Sequence, residues 1–136
     1  MLALLISGAL SSCQQNRASD NARDSANLKL KLLQQRECLN CNLSGLDLPN
    51  ADLSGVTLSG SDLSQANLEG SSLQGAVLAG VNLTDANLSG VTLVDATLTN
   101  AVVQGADFTN ADLDGADVTA TDLEAADTEG ARLPQN

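Results

Sequence analysis

The chain has 136 residues, enough for one domain, and it carries a formal net charge of −11. Aromatic residues make up 1% of it, which excludes a globular core built on large rings. It has no His, no G-x-S-x-G motif and no glycine-rich phosphate loop, so the common signatures of hydrolases and nucleotide-binding enzymes are missing. We therefore expect a non-catalytic protein without a cofactor or a metal site.

The first thirteen residues form an apolar start that ends in a cysteine. Residues 2–10 are apolar but too few to span a bilayer. The next segment reads Leu-Ser-Ser-Cys and resembles the bacterial lipobox, which implies a signal segment over 1–13 and lipidation of Cys13. The alternative is an apolar tail with an incidental cysteine, because no basic residue precedes Arg17.

A polar stretch and a short helix are predicted next. Residues 14–25 lack bulky apolar side chains, which is typical of a disordered tether. Ser25 is the expected N-cap of a helix over about 26–36, with Leu28, Leu32 and Leu33 on one side. We expect residues 26–40 to form a capping helix and a lead-in, because the end coil of a solenoid otherwise exposes its core and its strand edges.

From Cys41 to Gln135 one five-residue phrase repeats nineteen times. Its middle residue, every fifth from Leu43 to Leu133, is Leu at 15 of the 19 places. A small residue stands two places before it, and Gly stands two places after it at ten of them. A period of five fits neither a helix nor a plain strand, so the chain must turn a corner every five residues. This repetition indicates a solenoid whose central residues and small residues point inward.

Four such sides would close one coil of 20 residues. Stacking at the strand spacing of about 4.8 Å predicts just under five coils and a rod roughly 23 Å long. We number the sides one to four from residue 41, so that coil 1 covers residues 41–60. The inward centres of side three then form a predicted core ladder of Leu53, Leu73, Leu93 and Leu113.

The A(D/N)LSG phrase resembles the pentapeptide repeat family over residues 41–135. That resemblance implies an all-β fold, a right-handed quadrilateral parallel β-helix with a short N-terminal capping helix. The opening LLQQRECLNCNLSG also resembles cyanobacterial members, in which a short helix and a Cys-x-x-Cys precede the first coil. A resemblance of this kind implies a scaffold and does not by itself imply an activity.

The two cysteines before the repeat continue its register backward. Cys38 falls at a centre and Cys41 at a small inward place, so both should face the interior near the cap. In an oxidising compartment they predict a disulfide, and two buried thiols are the alternative. A zinc site would need about four ligands, and the chain has neither a His nor a second cysteine pair.

Charge is divided unevenly along the chain. Residues 41–136 hold fourteen acidic residues and one Arg, for a net charge of −13. A rod with this charge repels phosphates, so nucleic acid is not an expected ligand. The resemblance offers an alternative, because some cytosolic family members are similar to duplex DNA in shape and charge and bind type II topoisomerases.

Side four differs from the other sides in its outward residues. Its only charged outward residue is Asp117. An uncharged strip on an acidic rod predicts a protein contact, although four rungs are few enough for chance to give the same pattern. The strip, called the side-four strip below, consists of Thr57, Ser59, Val77, Ala79, Thr97, Thr99 and Thr119.

These features predict a non-catalytic, exported scaffold that acts as a protein-binding or structural module of the envelope. Its partner would be a protein, and it would meet a membrane through the lipid on Cys13 alone. The predicted location is periplasmic and membrane-anchored, and the alternative is a soluble form in the periplasm or a thylakoid lumen. A cytoplasmic protein would instead fit the acidic inhibitor or protector of a topoisomerase. The C-terminal coil has no lid and offers a contact for an end-to-end homodimer.

Overall fold

The structure is a computed structural model, and it describes residues 22–135. The predicted signal segment, Cys13 and residues 14–21 of the predicted tether lie outside the described residues. Helix α1 spans Ala22–Gln35, so it begins four residues before the expected start and Ser25 lies inside it. The N-cap prediction is therefore wrong, because residues 14–24 contain no Gly or Pro that would stop the helix from extending backward. Neither helix within 22–135 has the length and apolarity that crossing a bilayer requires.

Helix α1 covers the first coil with only part of its predicted apolar side. Leu32 is 2% exposed and Leu28 packs against the core, whereas Leu33 is 37% exposed. The helix ends where Arg36 adopts a left-handed φ of 59°. The guanidinium of Arg36 donates to the carbonyl oxygen of Asp52 at 2.8 Å and lies 3.6 Å from its carboxylate. This side chain therefore joins the cap to side three of coil 1.

The repeat folds as a parallel β-helix with twenty residues per coil. Each side of a coil contributes one bridge residue, and from Glu37 to Asp112 each of these except Val102 pairs in parallel with the residue twenty places later. The lead-in adds one more rung to side four, because Glu37 pairs with Thr57. The bridges form four columns of outward residues, namely Asn42, Asp62, Asn82 and Val102 on side one, Asp47, Asn67, Asn87, Asp107 and Asp127 on side two, Asp52, Ser72, Thr92, Asp112 and Arg132 on side three, and Glu37, Thr57, Val77, Thr97 and Asp117 on side four.

The interior consists of stacked columns of central and small residues. The predicted ladder residues Leu53, Leu73, Leu93 and Leu113 are each 0% exposed. Phe108, the chain's single aromatic residue, takes a central place and is also 0% exposed. Burying one Leu contributes about 1.5–3 kcal/mol, so these columns supply most of the driving force for folding.

Two serines take the small inward place and bridge successive coils. The Ser61 hydroxyl donates to the Cys38 carbonyl oxygen at 2.7 Å and accepts from the Cys41 N–H at 3.0 Å. The Ser71 hydroxyl donates to Leu48 in the same way at 2.6 Å. Both serines are 1% exposed, and these hydrogen bonds satisfy their polar atoms.

The corners between sides are tight turns. In the first, the Leu46 N–H donates to the Leu43 carbonyl oxygen at 3.1 Å, and Gly45 has a φ of 69°. Ser44, the other central residue of this turn, is not among the residues with a positive φ, so the geometry is that of a type II turn. Five later corners use Asn or Asp, which tolerate the same backbone conformation.

A corner Asn or Asp occupies the space above the corner of the next coil. The Oδ1 atom of Asn50 lies 2.5 Å from the point where Gly70 would carry a Cβ. The same relation joins Asn40 to Gly60, Asp85 to Gly105, Asp95 to Gly115, and Asn110 to Gly130. Glycine is therefore favoured twenty residues after these corners for a reason that goes beyond its φ, since a Cβ there would displace the side-chain oxygen. Asn100 is the exception, because the residue twenty places later is Ala120.

The repeat is interrupted once, on side one of the last coil. A 3₁₀ turn spans Leu123–Ala125, and Leu123 is only half-buried. Ala125 occupies a corner but is not among the residues with a positive φ. The Gly105 N–H donates to Ala125 instead of to the preceding residue, so the chain is shifted by one residue at this point. The uninterrupted repeat of the sequence had predicted a regular coil here.

The last coil resumes its register after this turn. Asp127 and Arg132 again pair with residues twenty places earlier. Leu133 is nevertheless 37% exposed, and Val118 and Thr128 are half-buried. Apolar atoms are thus accessible at this end of the described rod, and the homodimer through it stays a prediction.

Candidate functional site

The side-four strip forms a continuous surface across four coils. Parallel bridges join Thr57 to Val77, Val77 to Thr97, and Thr97 to Asp117. Backbone hydrogen bonds join each rung to the next, as where the Leu58 N–H donates to the Val77 carbonyl oxygen at 2.8 Å. Val77 is 38% exposed, and its neighbours on the strip are small. The result is a flat, rigid surface roughly 14 Å long at the strand spacing.

Both ends of the strip carry an acidic residue. Glu37 in the lead-in stands one rung before Thr57, a neighbour that the sequence analysis did not include. Asp117 stands one rung after Thr97, and its carboxylate accepts hydrogen bonds from the Thr119 hydroxyl at 2.6 Å and N–H at 3.0 Å. The hydroxyl, followed by the N–H, holds the pKa of Asp117 below its usual 3.8. The uncharged surface is therefore bounded by negative charge.

Charge on the rod is segregated along its axis more than between its sides. Residues 107–129 contain eight of the fourteen acidic residues that follow residue 40. Residues 66–106 contain three, namely Glu69, Asp85 and Asp95. The middle rungs of side three, Ser72, Gln74, Thr92 and Val94, are uncharged as well. The uncharged surface thus continues from the strip onto side three, with Asp95 at the corner between them.

Several outward aspartates outside the strip accept a hydrogen bond from the backbone of their own turn. The carboxylate of Asp107 accepts the Thr109 N–H at 2.8 Å, and the Thr109 hydroxyl and N–H together hold the pKa of Asp107 below its usual 3.8. Ser54 does the same for Asp52, mainly through its N–H, and Arg36 adds to the effect. Such carboxylates are ionised and bound to their own turn, which does not suit a general acid. Within residues 22–135 no three His, Cys, Asp or Glu side chains are grouped as metal ligands.

The cysteines of the lead-in are joined in the structure. Cys38 and Cys41 form a disulfide with a Cα–Cα distance of 5.7 Å, and both residues are buried. The Ser61 hydroxyl bridges the same two residues from coil 2. The junction between the cap and the coil is therefore held by one covalent bond and two hydrogen bonds.

One surface feature was missed by the sequence analysis. An open cleft with a volume of ≈ 260 Å³ lies beside the 3₁₀ turn of the last coil. Val102, which lines it, is 50% exposed, and among the described large apolar side chains only Leu30 is more exposed. The signal that marks it is the pair of alanines at successive corners, Ala120 and Ala125, where the repeat otherwise favours Gly, Asn or Asp.

Comparison with known proteins adds the family relationship. The family model for pentapeptide repeats matches residues 37–75, 61–100 and 92–127. Among solved structures, HetL of the cyanobacterium Nostoc sp. strain PCC 7120, a protein involved in the regulation of heterocyst differentiation, is 35% identical. It matches with a TM-score of 0.63 over 69% of this chain and 46% of its own. A search of curated protein sequences found no match.

A second solved relative comes from a plant. A thylakoid-lumen pentapeptide repeat protein of Arabidopsis thaliana is 34% identical, with a TM-score of 0.51 over 66% of this chain and 59% of its own. This chain thus spans about half the length of these two relatives.

Proposed function

The chain belongs to the pentapeptide repeat family and has that family's right-handed quadrilateral β-helix, and on this basis we propose that it is a non-catalytic scaffold that binds a protein partner through the side-four strip. The observation that carries the proposal is the bridged, uncharged surface between Glu37 and Asp117. A partner meets a preformed backbone there, so little conformational entropy is lost on binding. The acids at both ends oppose partners whose matching ends are acidic and thus add specificity.

The proposed place of action is outside the cytosol, with Cys13 as the lipid anchor. Two observations support a location outside the cytosol. The disulfide between Cys38 and Cys41 is of a kind that persists in oxidising compartments. The Arabidopsis relative is a protein of the thylakoid lumen, which is also separate from the cytosol.

The strip is tested by placing positive charge on it. Thr57→Lys with Thr97→Lys should abolish crosslinking of the partner, because two long cations then project from a flat, uncharged surface. A photo-crosslinker at Ser59 in the native cells, followed by mass spectrometry, reads out the partner. Ser64→Lys with Gln104→Lys is the matched control, since it places two lysines on side one at the same separation of two coils. Capture that is equal in both variants would refute the strip as the contact.

The lipid anchor has its own test. Cells fed labelled palmitate should label the protein, and Cys13→Ala should remove the label and release the protein from membranes. An unlabelled parent chain would show that the anchor is absent, and it would leave the strip proposal unaffected.

A second candidate function, DNA mimicry toward a type II topoisomerase, is favoured by charge density. A net charge of −13 over roughly 23 Å gives about one charge per 1.8 Å, compared with about 1.7 Å for duplex DNA. The sparse middle of the rod departs from the even spacing of phosphates. Purified protein that protects gyrase in a supercoiling assay, and a wholly cytosolic location, would favour this candidate over the scaffold.

A further inference from the structure

Helix α1 carries a second apolar stripe on the side that does not cover the coil. Leu28 and Leu32 pack on the core. Ala26, Leu30 and Leu33 follow the i, i+4, i+7 spacing of one helix face, and all three are exposed. At 3.6 residues per turn, Leu30 lies about 160° from both Leu28 and Leu32. This outer stripe therefore points away from the rod, and capping the coil does not account for it.

Two lysines flank the outer stripe. Lys29 and Lys31 are the chain neighbours of Leu30, so they project about 100° to either side of it. Both are half-buried, and neither forms an ion pair with another described side chain, whereas Arg36 is held by Asp52. Leucines between two unpaired cations suit a surface that is apolar inside and anionic outside, as a phospholipid bilayer is.

The charge of the chain is distributed so that only the cap end can approach an anionic surface without net repulsion. Residues 1–60 contain five basic and five acidic residues and carry no net charge. Residues 61–136 contain twelve acidic residues and one Arg, so they hold the whole net charge of −11. The acids closest to the cap are Glu37, Asp47 and Asp52, and Arg36 pairs with Asp52. Anionic lipid would therefore repel the sides and the far end of the rod more than the cap.

The chain also connects this helix to the proposed lipid anchor. Cys13 lies nine residues before Ala22, and a fully extended chain of that length spans roughly 30 Å at most. A lipid on Cys13 would keep α1 within that distance of the bilayer, where even a weak contact has a high effective concentration. The lipid alone was expected to meet the membrane, and the outer stripe supplies a second contact.

We propose that the outer stripe, with Lys29 and Lys31, docks on a bilayer that contains anionic phospholipid, so that the cap rests on the membrane and the acidic end points away from it. The leucines enter the boundary between headgroups and acyl chains, and the lysines contact the phosphates. The four sides of the rod, including the side-four strip, stay accessible to a protein partner. The docking does not depend on the strip and is tested without the lipid, so failure of either proposal leaves the other standing.

Docking is tested on the full chain with Cys13→Ala, which cannot be lipidated at that position. An environment-sensitive fluorophore is attached at Gln34→Cys, on the exposed outer side of α1, or at Glu129→Cys, at the acidic end. The cysteines of the disulfide take up no label. On phosphatidylcholine vesicles with about one third phosphatidylglycerol, the probe on α1 should shift to the blue and brighten, and the probe at the acidic end should not. No change on α1, or equal changes at both sites, would overturn the proposal.

The leucines have a matched control in two valines on the rod. Leu30→Ser with Leu33→Ser should weaken vesicle binding at least about tenfold, because the apolar area that enters the bilayer is lost. Val77→Ser with Val102→Ser removes side chains of similar exposure, 38% and 50%, and should leave binding unchanged. Residues 1–21 are the same in all these chains, so a difference in co-sedimentation with vesicles reports on the substituted side chains. Equal binding by the leucine variant and its parent would refute the docking.

The lysines and the lipid composition test the electrostatic part. Lys29→Gln with Lys31→Gln should weaken binding to the anionic vesicles about tenfold or more, since one Lys near such a surface contributes about fivefold. Arg132→Gln removes the single basic residue that follows Arg36 and should have no effect. Vesicles of phosphatidylcholine alone should bind the parent about as weakly as the lysine variant binds the anionic ones. Equal binding to both kinds of vesicle would show that anionic lipid is not recognised and would overturn the proposal.

Discussion

The second residue of each repeat faces solvent and also holds the turn that follows it. The Asn42 side chain accepts the Ser44 N–H at 3.1 Å and the Ser44 hydroxyl at 2.8 Å. Asp or Asn therefore fits this place because its side-chain oxygen accepts these hydrogen bonds, and Ser or Thr fits two places later because its hydroxyl donates one of them. The acidity of the rod is in part a by-product of turn chemistry, because Asp and Asn accept the same hydrogen bonds.

Because Asn can replace Asp at this place, the dependence of stability on low pH can be predicted. A group with a lowered folded pKa adds stability above its unfolded pKa and loses it as pH falls through the folded value. Asp107 and Asp117 are such groups, so the parent chain should lose more thermal stability between pH 5 and pH 2 than Asp107→Asn with Asp117→Asn. Melting in about 1 M salt, where the Debye length is about 3 Å, suppresses the opposing effect of overall repulsion. Parallel pH profiles would contradict the prediction.

A glycine pair tests the contact between corners. Gly70 and Gly75 share a φ of 66°, but only Gly70 faces an Asn side chain, that of Asn50, whereas nothing lies within 4 Å of Gly75. Gly75→Ala should cost about 1–2 kcal/mol for its backbone conformation. Gly70→Ala should cost about 1 kcal/mol more, because the Asn50 amide must move. In an Asn50→Gly background the two costs, measured by urea unfolding, should become equal, and a difference that persists there would refute the contact.

At the scale of elements, the cap and the first coil depend on each other. Helix α1 buries Leu32 on the coil, Arg36 binds Asp52, and the disulfide and Ser61 hold the lead-in. A short helix has little stability of its own in water, so its packing on the coil must supply it. The cap in turn covers core side chains that would otherwise meet solvent.

Two leucines on this helix allow a matched test. Leu32→Ala should lower the free energy of unfolding by about 2–5 kcal/mol, because Leu32 is 2% exposed and its removal leaves a cavity. Leu30 is 53% exposed, and Leu30→Ala should change that free energy by no more than about 0.5 kcal/mol. Denaturant melts of both variants provide the measurement, and equal costs would mean that α1 does not cap the coil as described.

At the scale of the whole molecule, the rod is electrically uneven from one end to the other. Its apolar columns are continuous, whereas residues 107–129 concentrate the acids. Each coil contacts only its neighbours, so stability in a solenoid is local and can differ between its ends. The acidic end also contains the 3₁₀ turn, and both features weaken it relative to the middle.

Raising the salt concentration should therefore stabilise the acidic C-terminal end of the rod more than its middle. The Phe108 N–H donates to Asp127 at 2.7 Å, and the Leu68 N–H donates to Asn87 at 2.8 Å on the same side two coils earlier. Raising the ionic strength from about 0.01 M to about 1 M shortens the Debye length from about 30 Å to about 3 Å. Exchange of the Phe108 amide should slow more than that of the Leu68 amide. An equal response of the two amides would show that repulsion does not limit the stability of this end.

The sequence predicted the features that are determined within a single five-residue repeat. It missed the features that depend on contacts between residues twenty places apart, in successive coils. The inward Leu ladder and the four sides follow from local alternation and a corner every five residues. Leu123 fits that alternation too, yet it is half-buried, because the coil is disturbed by Ala120 and Ala125. The helix start at Ala22 was missed since Ser25 is a good N-cap only if the chain before it is not helical. The side-four strip was found by grouping outward residues according to the side of the rod on which they lie. The uneven distribution of acidic residues along the rod is found only when residues are grouped by coil.

The coil length of twenty residues constrains which insertions and deletions the rod can accommodate. Deleting one five-residue phrase would rotate every later surface by a quarter turn relative to the earlier ones, and Asn50 would then meet the residue now at Gly75. Deleting four repeats would shorten the rod by one coil and keep all later surfaces aligned with the earlier ones. Gains and losses of chain should therefore be tolerated in multiples of twenty within the rod, and intermediate lengths should redirect a binding surface without altering any of its side chains.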